Sequence, residues 1–142
     1  MQMVVSMAIT ATNWLGIVVA AVVAMIIGFI WYSPALFGKQ WMKLSGVSQS
    51  NASKMMKNPV NMIGMFIAVI ISALVLQLFI IHSAITTVTG GIALGFLVWL
   101  GFVATSNFGM AAMSGKPWSL YIIQNVHLLI GLVVMGAILV VL

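Results

Sequence analysis

Four long apolar runs, separated by shorter polar stretches, set the pattern of this chain. They cover about residues 14–32, 59–83, 90–112 and 118–141, and none of them contains a lysine or an acidic residue. A helix needs roughly 20 apolar residues to cross a hydrocarbon layer about 30 Å thick. Backbone amides in hydrocarbon must bond within their own segment, so such runs coil into helices. Punctuation supports these limits. Pro34 breaks the chain after the first run, while Asn58-Pro59 and Pro117 place a proline at the first turn of the second and fourth, where its missing N–H costs nothing. The uncharged stretch Met1 to Asn13 lacks the basic start of a secretory signal and reads as an extension of the first helix. The pattern predicts an all-α integral membrane four-helix bundle forming one domain, 1–142. Its short connections make consecutive helices antiparallel neighbours.

Only one polar stretch is long, Ser33 to Asn58. Its first part sets Leu36, Phe37, Trp41 and Met42 beside Lys39 and Lys43. This mix predicts a short interfacial segment, with rings in the headgroup layer and ammonium groups near lipid phosphates. A gating or docking element is the other reading. Trp31, Tyr32 and Trp118 lie at the same edge of the layer and Trp14 at the opposite one. Indole and phenol rings favour that depth because their N–H or O–H can meet water. Trp99 falls near mid-membrane, where it serves either packing or a ligand platform.

Composition narrows the chemistry. The chain is 64% hydrophobic and 4% charged, with five Lys, no Asp, Glu or Cys, and two His; its mean hydropathy is +1.30. A soluble domain carries about 25% charged residues to keep its surface in water. Without carboxylates or thiols there is no paired-acid hydrolysis, carboxylate relay or thiolate chemistry. His82 and His127 belong to opposite depths and cannot share a metal. Twelve scattered Met suit gap-filling among apolar neighbours. The expectation is no catalytic residue, no metal and no cofactor. The basic residues are too few for nucleic acid, which leaves anionic lipid headgroups as their counter-charge.

Charge also orients the chain. Lys39, Lys43, Lys54 and Lys57 lie between the first two runs, and Lys116 between the last two. Both loops fall on one side, and the positive-inside rule makes that side cytoplasmic and both termini non-cytoplasmic.

Small residues recur every fourth position, as Gly16, Ala20, Ala24 and Gly28 in the first run, Gly64, Ala68 and Ser72 in the second, and Gly91 and Gly95 in the third. Such stripes let helix backbones approach closely in lipid. They predict packing within the bundle or a face for another subunit, either a second copy or another membrane protein.

Polar residues inside a membrane are costly, so function is sought among them. The fourth run carries Tyr121, Gln124, Asn125 and His127 within about half the helix circumference. Thr105, Ser106 and Asn107 lie at similar depth on the third, roughly 7 to 13 Å from the lysine-bearing edge. Two readings are open. The seven residues hold the helices together, at about 0.6 kcal/mol per bond, or they line a pocket for a small neutral or anionic molecule, with His127 as its proton-sensitive member.

Several segments are similar to a known family: Asn13-Trp14-Leu15, Trp31-Tyr32-Ser33-Pro34 with Phe37-Gly38-Lys39 and Trp41-Met42, Trp99-Leu100-Gly101-Phe102, Gly115-Lys116-Pro117-Trp118, and Val134 to Leu139. Together they resemble the bacterial family known as domain of unknown function 1761. The resemblance spans nearly the whole chain and implies a small four-helix protein of the bacterial inner membrane, with no activity to transfer. The chain departs from that family in having no acidic residue between Gly46 and Asn58. The whole reading supports two functions. The first is a non-catalytic homo-oligomer or accessory subunit of a membrane assembly. The alternative is a minimal transporter or channel using the polar pocket.

Overall fold

The computed structural model describes the backbone of residues 1–142 and all side chains except those of residues 4, 5, 7 and 8. Among the described residues every regular element is helical. The helices are α1 (Gln2–Ala11), α2 (Trp14–Trp31), α3 (Gly38–Ser45), α4 (Gln49–Lys57), α5 (Pro59–His82), α6 (Val88–Val98), α7 (Thr105–Ser114) and α8 (Trp118–Val141). A π-helical segment, Trp99–Ala104, joins α6 to α7 without a break. Among the described residues, four helical units are therefore long and apolar enough to cross a membrane: α2, α5, the continuous α6–α7 rod and α8.

Local chemistry sets the ends. Asn13 adopts an extended backbone and accepts a bond from the Gly16 amide at 3.0 Å. A side chain used this way starts a new helix, so α1 is a separate helix and not the extension of α2 that its apolarity suggested. Asn58 caps α5 through the Val60 amide at 2.9 Å, directly before Pro59. Thr87 caps α6 through the Gly90 amide at 3.1 Å. After α2 the chain doubles back so sharply that a Cβ on Gly38 would collide with the Tyr32 and Ser33 carbonyls. This turn starts α3 beside the end of α2. Gly46, in the left-handed region, ends α3.

The outer surface is apolar: Ile63, Ile67, Ile71 and Phe79 of α5, Leu97 and Phe102 of the third span, and Ile122 of α8 all stand exposed. In water that surface would be unstable; in hydrocarbon it is solvated. The arrangement is less regular than a ring of sequential neighbours. α8 packs against α2, α5 and α6, whereas α5 and α6, consecutive in sequence, share little contact. The hub helix is the last one.

Its packing differs along its length. Ile17, Ala20, Ala73, Leu76, Ile80, Leu132, Met135 and Leu139 form the buried core, and all of them lie in the half of the bundle away from the lysines. Gly91 and Gly95 cross α8 in the same half. A Cβ on Gly91 would strike the Gly136 carbonyl, one on Gly136 would strike the Gly91 carbonyl, and one on Gly95 would strike the Leu132 carbonyl. This is backbone-to-backbone packing that only glycine permits. Gly16 and Ala20 are likewise buried. Within this dry half, Gln77 Oε1 is buried without a hydrogen-bond partner. Gly64, Ala68 and Ser72 differ from the other stripes because they lie exposed on the outer face of α5, and among the described residues no atom stands within 4 Å of a Cβ built on Gly64.

Candidate functional site

In the lysine-bearing half the packing opens. The first turns of α8, the end of α7 and Tyr32 line a half-open cavity of about 440 Å³. That is room for a small solute. Its polar lining is Tyr32, Asn107, Ser114, Lys116, Tyr121, Gln124, Asn125 and His127, and Met110, Ala111, Leu120 and Leu128 supply apolar walls. Lys116 marks its mouth. His127 lies nine residues into α8, about 13 Å along the axis at 1.5 Å per residue, so the cavity reaches close to mid-membrane and stops where the glycine crossing begins.

Two kinds of polar group line it. The first kind is fixed. Asn107 donates through Nδ2 to Asn125 Oδ1 at 3.1 Å, and Asn125 Nδ2 donates to the Tyr121 carbonyl at 2.9 Å. The Tyr121 hydroxyl donates to the Ala104 carbonyl at 2.9 Å, and the Ser114 hydroxyl donates to the Ala111 carbonyl at 2.8 Å. Asn125 is only 3% exposed, so its bonds tie the third span to α8 and leave little to offer a solute. Two indoles strengthen the same wall: Trp31 Nε1 donates to the Ile123 carbonyl at 3.0 Å and Trp99 Nε1 to the Asn125 carbonyl at 2.9 Å. Trp31 therefore spends its N–H on α8 and not on headgroup water, and Trp99 is a packing and hydrogen-bonding residue.

The second kind is uncommitted. Among the described residues, the Tyr32 hydroxyl, the Gln124 amide and the His127 imidazole have no protein hydrogen-bond partner. His127 is positioned by shape instead. Its ring stands edge-on to Tyr32 at 5.1 Å between centroids and 6.4 Å from Trp31. A Cβ on Gly28 would come within 3.1 Å of Nε2, so the last glycine of the α2 stripe makes room for this imidazole. Lys116 Nζ donates one bond, to the Ser45 carbonyl at 3.0 Å, which leaves it two more N–H groups. That bond fastens the end of α3 to the cavity mouth.

Of the seven polar residues singled out in the sequence, Asn107, Tyr121, Gln124, Asn125 and His127 line the cavity, and Thr105 and Ser106 do not. Both are exposed on the outer side of the third span, where the Thr105 hydroxyl donates to the Gly101 carbonyl at 2.7 Å. The π-helical segment before them is the reason. Its wider turn, with i to i+5 bonding, rotates α7 relative to a uniform α-helix, bringing Ala104 and Asn107 toward α8 and turning Thr105 and Ser106 away. Tyr32 and Lys116 join the cavity without having been grouped with the intramembrane cluster: Lys116 stands just before the first turn of α8, and the packing of α2 on α8 sets Tyr32 beside His127. Gly136 was missed as well. It stands five residues from Gly131, off the four-residue spacing that marks a stripe. Lys39 and Lys43 are exposed on α3, with Trp41 half-buried between them and 5.8 Å from Tyr32, while Trp118 is exposed and stacks on Phe108 at 5.3 Å.

A family model described as Protein of unknown function (DUF1761) matches residues 15–140. No curated protein and no solved structure matches the chain.

Proposed function

We propose, for a chain that belongs to the DUF1761 family of proteins of unknown function, that it is a non-catalytic multi-pass membrane protein holding a small polar solute in the cavity between its third and fourth spans. The observation that carries this reading is the set of uncommitted polar groups, Tyr32, Gln124 and His127, that line one cavity with Lys116. A cluster that served only to join helices would satisfy its members against each other, as Asn107, Asn125 and Tyr121 do. No nucleophile meets a base there, so binding and not catalysis is the chemistry on offer. Five lysines on one side and none on the other make that side cytoplasmic by the positive-inside rule. Solute then enters from the cytoplasm of a bacterial cell. The closed half makes the single chain a dead end, so passage across the membrane requires α6 and α8 to part at Gly91 and Gly136.

The test is thermal unfolding of the full chain in nanodiscs against a panel of small solutes. At least one solute should raise the midpoint for the native chain and fail to do so for Gln124→Leu. If the whole panel shifts both proteins equally, the reading fails.

A second reading, the homo-oligomer or accessory subunit, draws on the exposed stripe of Gly64, Ala68 and Ser72 on α5. The α2 and third-span stripes face other helices of the same chain, which leaves this one for contact with lipid or another subunit. Native mass spectrometry from mild detergent separates the outcomes. A defined assembly dissolved by Ala68→Leu supports the subunit reading, and a monomer in every detergent rejects it.

A further inference from the structure

We infer that the cavity selects an anion, a carboxylate or phosphate group, over uncharged polar solutes. This rests on the cavity being a solute site, as proposed above, and adds the class of solute. Lys116 brings a full positive charge with two unspent N–H groups to the mouth. Tyr32, Gln124 and His127 add donors with no protein acceptor. Pro117 lines the same mouth and leaves the start of α8 without a side-chain cap, so the positive end of a 24-residue helix lies beside it. Against this, the cavity holds no negative charge, and the chain has no Asp or Glu to supply one. The acceptor of Asn125 is already taken by Asn107. Tyr32, Gln124 and His127 carry acceptors as well as donors, but the one full charge on the lining is positive, so a cation is repelled and a neutral solute gains nothing from it. An anionic group at the mouth meets Lys116 and the start of α8, while the polar groups deeper along the cavity are left for the rest of the solute.

The same chemistry is available from a free anion and from an anionic lipid headgroup, and calorimetry on the full chain distinguishes them. One set of nanodiscs contains phosphatidylcholine alone, and a second adds phosphatidylglycerol; each is titrated with inorganic phosphate, acetate and glycerol. In phosphatidylcholine discs phosphate or acetate should bind saturably and glycerol should not. Lys116→Gln should weaken that binding at least tenfold, Lys116→Arg should restore most of it, and Lys57→Gln, on α4, should leave it unchanged. Tyr32→Phe removes one hydroxyl without touching the Ser45 tether and should weaken binding a few-fold, so the inference is tested even if Lys116→Gln fails to fold. Loss of phosphate binding in the phosphatidylglycerol discs, dependent on Lys116, identifies the headgroup as the anion and also supports the inference. Glycerol binding as well as the anions overturns anion selection while leaving the solute site intact. Binding of none of the probes in either disc, with no dependence on Lys116, overturns both.

Discussion

The two halves of α8 are built on opposite principles. From Leu132 to Leu139 the helix meets its neighbours through glycine backbones and small or aliphatic side chains, with no room for a Cβ on Gly91 or Gly136. From Leu120 to Leu128 it meets them through amides, phenols, indoles and an imidazole around open space. In lipid no hydrophobic force drives helices together, so association comes from close contact or from hydrogen bonds. The first half uses contact and the second uses bonds. The consequence is functional, because close contact excludes solute whereas a hydrogen-bonded wall can enclose it.

The comparison can be broken at four points. The largest effect is expected in the tight half. Gly136→Val puts side-chain atoms where the Gly91 carbonyl sits, and rigid backbone cannot yield, so the loss should reach about 3 kcal/mol or more, read as collapse of the thermal unfolding transition in detergent. Asn125→Leu comes next. It strands Asn107 and removes the tie between α7 and α8, with an expected cost of about 1 to 2 kcal/mol by the same measurement. Gly28→Ala should separate stability from binding. Its new methyl meets only the end of the His127 ring, which can shift, so unfolding should move by less than about 1 kcal/mol while solute affinity falls several-fold in calorimetry. Gly64→Ala is the smallest, because nothing stands near the new atom. A monomer should change by no more than about 0.5 kcal/mol, and a larger loss would reveal a partner on α5.

Much of the fold was legible because membrane helices announce themselves by length and apolarity. The ends of α5 and α8 could be placed from Pro59 and Pro117 to within a residue. Asn13 was harder, since the apolar run passes through it and only its capping bond separates α1 from α2. The site was half legible. Residues on one continuous helix, such as Tyr121, Gln124, Asn125 and His127, share a region by simple periodicity. Thr105 and Ser106 were misplaced because no residue pattern announced the wider turn at Trp99–Ala104. Tyr32 reaches the cavity through the packing of α2 on α8, a contact between distant segments that periodicity cannot report, whereas Lys116 lies just before α8 and had been read only as a loop charge.

The chain contains no cysteine, so single introduced thiols can report where water reaches. The decisive measurement is labelling of Gln124→Cys and Ala20→Cys, in proteoliposomes, with a charged, membrane-impermeant thiol reagent applied to each side in turn. Gln124→Cys should react from the lysine-bearing side alone, and Ala20→Cys, in the glycine-packed half, should react from neither. Labelling of Ala20→Cys, or silence of Gln124→Cys from both sides, would contradict the division of the bundle into a solute-accessible half and a closed one.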